Sequence, residues 1–288
     1  MALLIFLVLL LGELLSQASD LWLAGEGRSR RNQNGRAIAD VVRRELKGAL
    51  LPINPSNQAG LQLVVNPTLS ADYLNPSAIF WQMPMATDQQ FGDVAEVGYF
   101  VAWDDLQPQL RRFYASLAVP GATSSPSSNT NFLIRSAPDN WINNDVLDAA
   151  CPADASRNYE GLFAENVVGL WIRCLDPEGN PIAKDASGAA YGNTFDSRRG
   201  YQYTDSDGQT VVKAAGSLPP LVEISLAQLD TRHRRRIDTQ LKQKILSRTA
   251  ETATASEFVT AALKDTAFNP IREGLHSYTM TVFLQNSR

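Results

Sequence analysis

Few side chains in this sequence are of the kinds that do chemistry, and they do not group. There are two histidines, His233 inside the basic run Arg232-His233-Arg234-Arg235-Arg236 and His276 flanking a strand-like stretch; both read as surface residues. Two cysteines, Cys151 and Cys174, are too few for a disulfide framework, and whether they pair is left open by sequence. Asp104-Asp105 is a carboxylate pair, but adjacent acidic residues in a turn mainly cap it. Asp205-Ser206-Asp207-Gly208 resembles the opening of a calcium loop, yet no acidic residue stands at the closing position, so a plain turn is favoured and calcium binding near Asp205 and Asp207 stays open. Gly25-Glu26-Gly27 lacks both the preceding strand and the third glycine of a dinucleotide fingerprint. There is no Gly-x-Ser-x-Gly elbow, P-loop or His-Glu-x-x-His pattern. The expectation is a chain without catalytic residues, cofactor-binding residues or metal ligands, and not an enzyme.

The elements that would carry a different role are clearer. Met1–Leu11 is an unbroken apolar run of eleven residues, about half of the roughly 20 that a spanning helix needs. No basic region precedes it, unlike a secretory signal, and the first positive charge is Arg28. Leu14, Leu15, Ala18, Leu21 and Trp22 continue a helical apolar stripe, with Trp22 placed as an interfacial aromatic. From Glu13 to Leu50 there is no proline; Ile38, Val41, Val42, Leu46 and Leu50 then recur at amphipathic helical spacing, and Pro52 ends the run. The polar stretch GEGRSRRNQNG is its weak point, and two helices joined by a loop is the competing reading. Three segments follow: an apolar anchor helix over 1–22, an amphipathic stem helix over 23–51, and a β-rich head over 52–288.

In the head, Leu61–Val65 and Ile79–Met83 are short strand candidates between Asn-Pro turn signals. Val94–Trp103 alternates Ala95, Val97, Tyr99, Val101 and Trp103 against Glu96 and Gly98, and after a turn at Asp104–Pro108 the stretch Arg111–Leu117 returns as the second arm of a hairpin. Pro120–Asn131 reads as a flexible surface loop. Phe163–Leu175 ends in a buried strand, closed by a turn at Asp176–Gly179, and Lys184–Gln209 reads as a long irregular excursion. Leu221–Leu229 is a strand with Val222, Ile224 and Leu226 inward and Glu223 and Ser225 outward. Asp230–Ser247 reads as helix, Thr254-Ala255-Ser256-Glu257 as a capping box opening a short helix, and Tyr278–Leu284 as a closing strand. A helical stem followed by an antiparallel head is an α+β arrangement. Hydrophobic residues at 44% and charged ones at 19% suit a mostly globular chain, and a net charge of −4 argues against a nucleic-acid partner.

The order of these features resembles a known family. Val97-Gly98-Tyr99 precedes a turn and Leu110-Arg111-Arg112; later come Leu162, Asn166-Val167-Val168-Gly169-Leu170 with Asp176 and Gly179, and then Leu218-Pro219-Pro220-Leu221-Val222-Glu223-Ile224-Ser225-Leu226. The chain resembles prepilin-like minor pseudopilins of the J type in type II secretion and W-type minor pilins, and is closest among these to Verru/Chthon cassette protein C. That resemblance implies a pilin-like fold and a structural subunit of a type II secretion or type IV pilus-like fibre. It also implies a single-pass inner-membrane location before assembly, with the head in the periplasm or outside the cell. The implied partners are other pilin-like subunits meeting through the N-terminal helix, inner-membrane lipid, and a prepilin peptidase if a leader lies upstream. Family members begin with a basic leader and a Gly-Phe-Thr-Leu-like junction, whereas Met1-Ala2-Leu3-Leu4 resembles the middle of their anchor helix, so the expectation is an anchor truncated at its N-terminus. Two other classes stay open: a membrane-anchored extracytoplasmic protein holding a ligand at Lys184–Gln209, and a secreted hydrolase with polar groups converging in one pocket.

Overall fold

A computed structural model of the chain describes residues 35–49, 63–84, 94–116 and 155–284, together with Glu13, Ile142, Leu147, Asp148 and 150–152. The anchor helix over 1–22, the strand start at Leu61-Gln62 and the Pro120–Asn131 loop lie outside these residues, Glu13 excepted. No helix among the described residues is long and apolar enough to cross a membrane. The chain divides into two compact units, Met1–Asp40 and Val41–Arg288. Residues 35–47 are helical (α1), and its 35–40 part belongs to the first unit.

The second unit mixes helices with antiparallel sheet. Its six-stranded sheet has the order β5-β4-β3-β2-β1-β7, from β1 (Leu63–Val65), β2 (Ile79–Pro84), β3 (Val94–Asp104), β4 (Gln107–Ser116), β5 (Leu162–Glu165) and β7 (Phe195–Asp196). A three-stranded sheet orders β11 (Leu275–Phe283), β10 (Leu221–Leu229) and β6 (Val167–Leu175); β8 (Tyr201–Thr204) and β9 (Thr210–Lys213) pair separately. Residues 75–77 join the larger sheet to β6: the Leu170 amide donates to the Asn75 carbonyl (3.0 Å) and the Ser77 amide donates to the Leu170 carbonyl (3.0 Å).

The β3–β4 hairpin turns on Asp105 and Leu106 alone, with Asp104 paired to Gln107 and Asp105 held at φ 50°. Pro108 therefore sits in the strand rather than in the turn. The alternation read for β3 is right in phase but not in its outer face. Glu96, Phe100 and Ala102 are buried as deeply as Val97 and Tyr99, because a second core covers that side, with Phe80, Phe100, Phe113, Tyr73 and Leu147 in it. Gly98 belongs to the same face: a Cβ there would lie 2.2 Å from the Phe80 ring, so the glycine makes room for an aromatic on the next strand.

Phe163–Leu175 ends in a buried strand as read, and its first residues belong to a strand of the other sheet, parted from β6 at Asn166, whose φ of 62° breaks the extended backbone. Two further readings are corrected. Ser225 does not face out. It lies on the same side of β10 as Ala227 and Leu229, and its Oγ accepts the Ala255 amide (3.1 Å) under the helices that cover this face. The helix read over Asp230–Ser247 is two, α2 (Thr231–Arg234) and α3 (Thr239–Ala250), each capped by an aspartate: Asp230 accepts from the His233 amide and Asp238 from the Leu241 amide. Sequence periodicity of Ile237, Leu241 and Ile245 runs through the break, since all three are buried. The Thr254–Glu257 cap forms, with the return bond going to the residue before the N-cap. Thr254 Oγ1 accepts the Glu257 amide (3.2 Å) and Glu257 reaches back to the Ala253 amide (2.9 Å), opening α4 (Ala255–Lys264).

Candidate functional site

Two places in the second unit hold side chains in arrangements beyond simple packing. The first is where α1 meets the larger sheet. From Val41 onward, Val42, Leu46 and Ala49 are buried, while Glu45 reaches out from the helix to the β3–β4 hairpin. Its Oε1 accepts from Arg112 Nη2 at 2.6 Å and its Oε2 from the Tyr99 hydroxyl at 2.7 Å. Tyr99 is buried, stacked on Trp81 (centroids 5.7 Å apart, planes at 17°) and met edge-on by Phe163 at 5.2 Å. Burial raises the Tyr99 pKa far above the ordinary phenol value, and the bond to Glu45 raises it further, so the group stays a donor. For Arg112, burial works against the charge, but the hydrogen bond and charge of Glu45 outweigh it and the pKa rises. The guanidinium also lies 4.5 Å from the centre of the Tyr114 ring. This is a clamp that fixes a helix on a sheet.

The second place is the excursion after β6, which reads as irregular by composition but is held at many points. Asp176 Oδ1 accepts the Asn180 amide (2.7 Å). Asp185, only 4% exposed, accepts from the Ser187 hydroxyl (2.6 Å), the amides of Ser187 and Ala189, and Arg199. Those partners, the Ser187 hydroxyl first, lower its pKa to about 2. The Tyr191 hydroxyl donates towards the carbonyls of Asp196 (2.9 Å) and Gly200, and Tyr191, Phe195 and Tyr201 form an aromatic row. On the outer side the excursion and the β8–β9 hairpin leave a cleft of about 340 Å³, lined by Asp176, Asn180, Lys184, Gln202, Tyr203 and Thr210 among others.

The residues singled out for chemistry are scattered over these elements. Asp104 and Asp105 form the hairpin turn, where the Asp105 carbonyl accepts from Lys242 Nζ (2.6 Å). Asp205-Ser206-Asp207-Gly208 is the β8–β9 turn: Asp205 Oδ1 accepts the amides of Asp207 (3.0 Å) and Gln209 (2.8 Å), and Gly208 takes φ 75°. His233 is not a surface residue. Its side chain is 12% exposed, with Nδ1 2.7 Å from Asp230 Oδ1. His276 is half-buried within β11. Both cysteines are free: Cys174 is buried in β6, and Cys151 packs beside the core under β3 and β4. Burial raises the thiol pKa of each. Among the described residues no group of three His, Cys, Asp or Glu side chains could hold a metal ion. Gly25-Glu26-Gly27 lies outside the described residues.

Two ionisable residues are buried against their type. Arg111 shares the Phe113 face of β4 by alternation and is 1% exposed, donating to the carbonyls of Asn158 (2.7 Å) and Glu160 (2.9 Å) and to Gln109. Glu96 is fully buried opposite Gln82, and neither of its carboxyl oxygens has a hydrogen-bond partner. Burial pushes its pKa up to about 8.

No protein-family model matches the chain, and no curated protein matches it. Among solved structures, a type IV-like pilin from Thermus thermophilus aligns with 90% of this chain and 99% of its own, at 12% identity and a TM-score of 0.37, a likeness too loose to carry fold or role across.

Proposed function

We propose that this chain is a minor pilin-like or pseudopilin-like structural subunit of a type II secretion or type IV pilus-like fibre. Its N-terminal apolar run holds the precursor in the inner membrane as a single span, with the head in the periplasm or outside the cell. Assembly then moves that run from lipid into a bundle with the same segment of neighbouring subunits, one apolar environment replacing another. A prepilin peptidase processes the precursor where a leader lies upstream. The observation that supports this most directly is the clamp of Glu45 by Arg112 and Tyr99, with Leu46 buried beside it. From Val41 onward, a helical segment that follows the apolar run in sequence is part of the second unit's own core, as a fibre subunit needs if load on the helix is to reach the head. The chain acts by assembly and carries out no reaction.

Cysteines placed in the apolar run and in the stripe that continues it test this in the native host, with Leu7→Cys and Leu14→Cys each in a Cys151→Ser background that leaves only buried Cys174. Oxidation is expected to give disulfide-linked dimers in the membrane and sheared-fibre fractions, and none for Glu178→Cys on the head. Recovery of the protein only as a soluble monomer, with no linked species, would overturn the reading.

A further inference from the structure

The outer edge of β11 is the long sheet edge that the described residues leave open. β11 pairs with β10 through nine successive positions without a bulge, and no strand flanks its other side. The bonds at its two ends fix which way its backbone points. The Asp230 amide donates to the Gly274 carbonyl (3.1 Å) and the Leu284 amide to the Pro220 carbonyl (3.0 Å), so even-numbered residues turn their N–H and C=O groups towards β10. The amides and carbonyls of Ser277, Thr279, Thr281 and Phe283 therefore point away from the sheet, and all four residues are exposed. The other sheet edges are covered or short. Residues 75–77 lie along β6, as does Ile182, whose amide donates to the Cys174 carbonyl (2.9 Å), while β5, β7, β8 and β9 have four residues or fewer. Edge strands are usually guarded by a lysine, a proline, a bulge or short length, and β11 has none of these.

An antiparallel second copy of the same strand fits this edge. On a two-fold axis through Thr279, outward-pointing residues meet outward-pointing residues. Thr279 faces the second copy's Thr279 and Ser277 faces the second copy's Thr281, so their amides and carbonyls exchange hydrogen bonds. Side chains then match on both faces. Half-buried Tyr278 comes beside the second copy's Met280, itself half-buried, at the close spacing of a non-hydrogen-bonded pair. Phe283, 66% exposed, comes opposite the second copy's Leu275, which is apolar and buried. No Lys, Arg, Asp or Glu lies on the strand, so the two copies meet without like-charge repulsion. We infer that β11 is a self-association edge, through which two heads join their three-stranded sheets into one sheet of six. Such a contact closes on itself instead of propagating, and it neither needs the fibre reading nor follows from it.

The full chain in detergent micelles is followed by analytical ultracentrifugation over a range of concentrations. A concentration-dependent dimer is expected, with a Kd of about 1 mM or tighter. Thr279→Lys, at an exposed position, sets two cations on the axis and is expected to weaken the dimer about tenfold or more. An equal mixture with Thr279→Asp is expected to restore it as a mixed pair. Register is tested by cysteines in a Cys151→Ser background, which leaves only buried Cys174. On mild oxidation Thr279→Cys is expected to give a disulfide dimer and Thr281→Cys alone none, whereas Thr281→Cys mixed with Ser277→Cys is expected to link. Amide exchange read by NMR separates lost association from a damaged strand. The amides of Ser277, Thr279 and Thr281 should exchange slowly in the dimer and fast in Thr279→Lys, with those of Tyr278 and Met280 protected in both. The inference is overturned by a chain that stays monomeric at about 1 mM, whether or not a foreign extended peptide then slows those amides. It is equally overturned by a dimer that survives Thr279→Lys, which would place the contact outside β11, or by Thr281→Cys linking to itself as readily as Thr279→Cys.

Discussion

The three-stranded sheet and the excursion from Asp176 to Gly216 are built by opposite means. In the sheet, β10 is flanked on both sides and buries Val222, Ile224 and Leu226 on one face and Ser225, Ala227 and Leu229 on the other. Its cohesion is apolar area and ladder hydrogen bonds, spread over nine residues paired in register with β11. The excursion has little regular structure, and its cohesion is concentrated in a few polar side chains that bond to backbone: Asp176, Asp185, Tyr191 and Asp196. Spread cohesion fails globally when one core position is broken, and concentrated cohesion fails locally when one bond is removed. Substitutions in the two regions should therefore differ in reach as well as in size.

The largest effect is expected at Ile224, 2% exposed at the middle of β10 and paired to Ile172 on one side and Met280 on the other. Ile224→Asp buries a carboxylate without a partner and is expected to cost about 4 kcal/mol or more, lowering the urea midpoint of the whole second unit. Glu223, one position along, pairs with Arg173 across the strands at 2.6 Å while partly exposed. Glu223→Lys sets two cations opposite each other and is expected to cost about 1 kcal/mol. Equal costs for the two would mean that Ile224 does not face a core.

That contrast also explains what could be read in advance. Strand phase was legible wherever side chains alternate: Ala95 to Trp103, Val222 to Leu226 and Tyr278 to Val282 all lie on the faces their spacing indicates. What the alternation could not say is whether the opposite face is wet. Glu96 and Ser225 look like solvent-facing residues because their types are polar, but a second layer covers each, the Phe80–Phe100 core over one and α4 over the other. Layer stacking depends on contacts far apart in sequence, which periodicity does not encode. The clamp was half legible. Glu45 falls inside the apolar stripe of its helix, four residues after Val41 and three after Val42, and Arg112 lies on the other face of a strand from Phe113, yet nothing local says that they meet across 67 positions. The excursion was least legible, since Ser, Asp, Gly and Tyr give the same composition whether their side chains bond to water or to the chain.

Glu96 sharpens the sheet side of the comparison through pH. Its folded-state pKa, pushed up to about 8 by burial, lies above the ordinary carboxylate value near 4.5. The folded state therefore holds a proton that the unfolded state releases across that window, so the Glu96 contribution is fully present below about pH 4.5 and is lost as pH rises to about 8. The loss runs at up to about 1.4 kcal/mol per pH unit. Glu96→Gln keeps the shape and removes the titration. Its stability relative to the wild type, from urea melts at matched pH, should climb by several kcal/mol between about pH 5 and pH 8, with most of the climb gone by the upper end. A difference that stays flat with pH would mean that the carboxyl is not held away from water.

The smallest expected effect tests the excursion. Tyr191 is 3% exposed, its ring tilted against Phe195 at 5.2 Å and beneath Arg199 at 4.9 Å, so most of its packing belongs to the ring and not to the hydroxyl. Tyr191→Phe keeps the ring and removes only the donor shared by the Asp196 and Gly200 carbonyls. Such a deletion costs about 1 kcal/mol, because the two carbonyls lose a buried partner while no cavity opens. The distribution of that cost separates the two modes of construction. In a region held by a few polar bonds, the loss should appear as faster amide exchange over the segments those bonds close, near residues 184–202, with the global urea midpoint almost unmoved. The amides of β10 and β11, whose protection comes from the sheet, should exchange as in the wild type. If the midpoint falls by as much as the local opening energy and β10 exchanges faster in step, the excursion and the sheet unfold as one cooperative body. Cohesion would then be shared across the second unit, and the polar bonds of the excursion would be part of the common core instead of a local frame for the cleft.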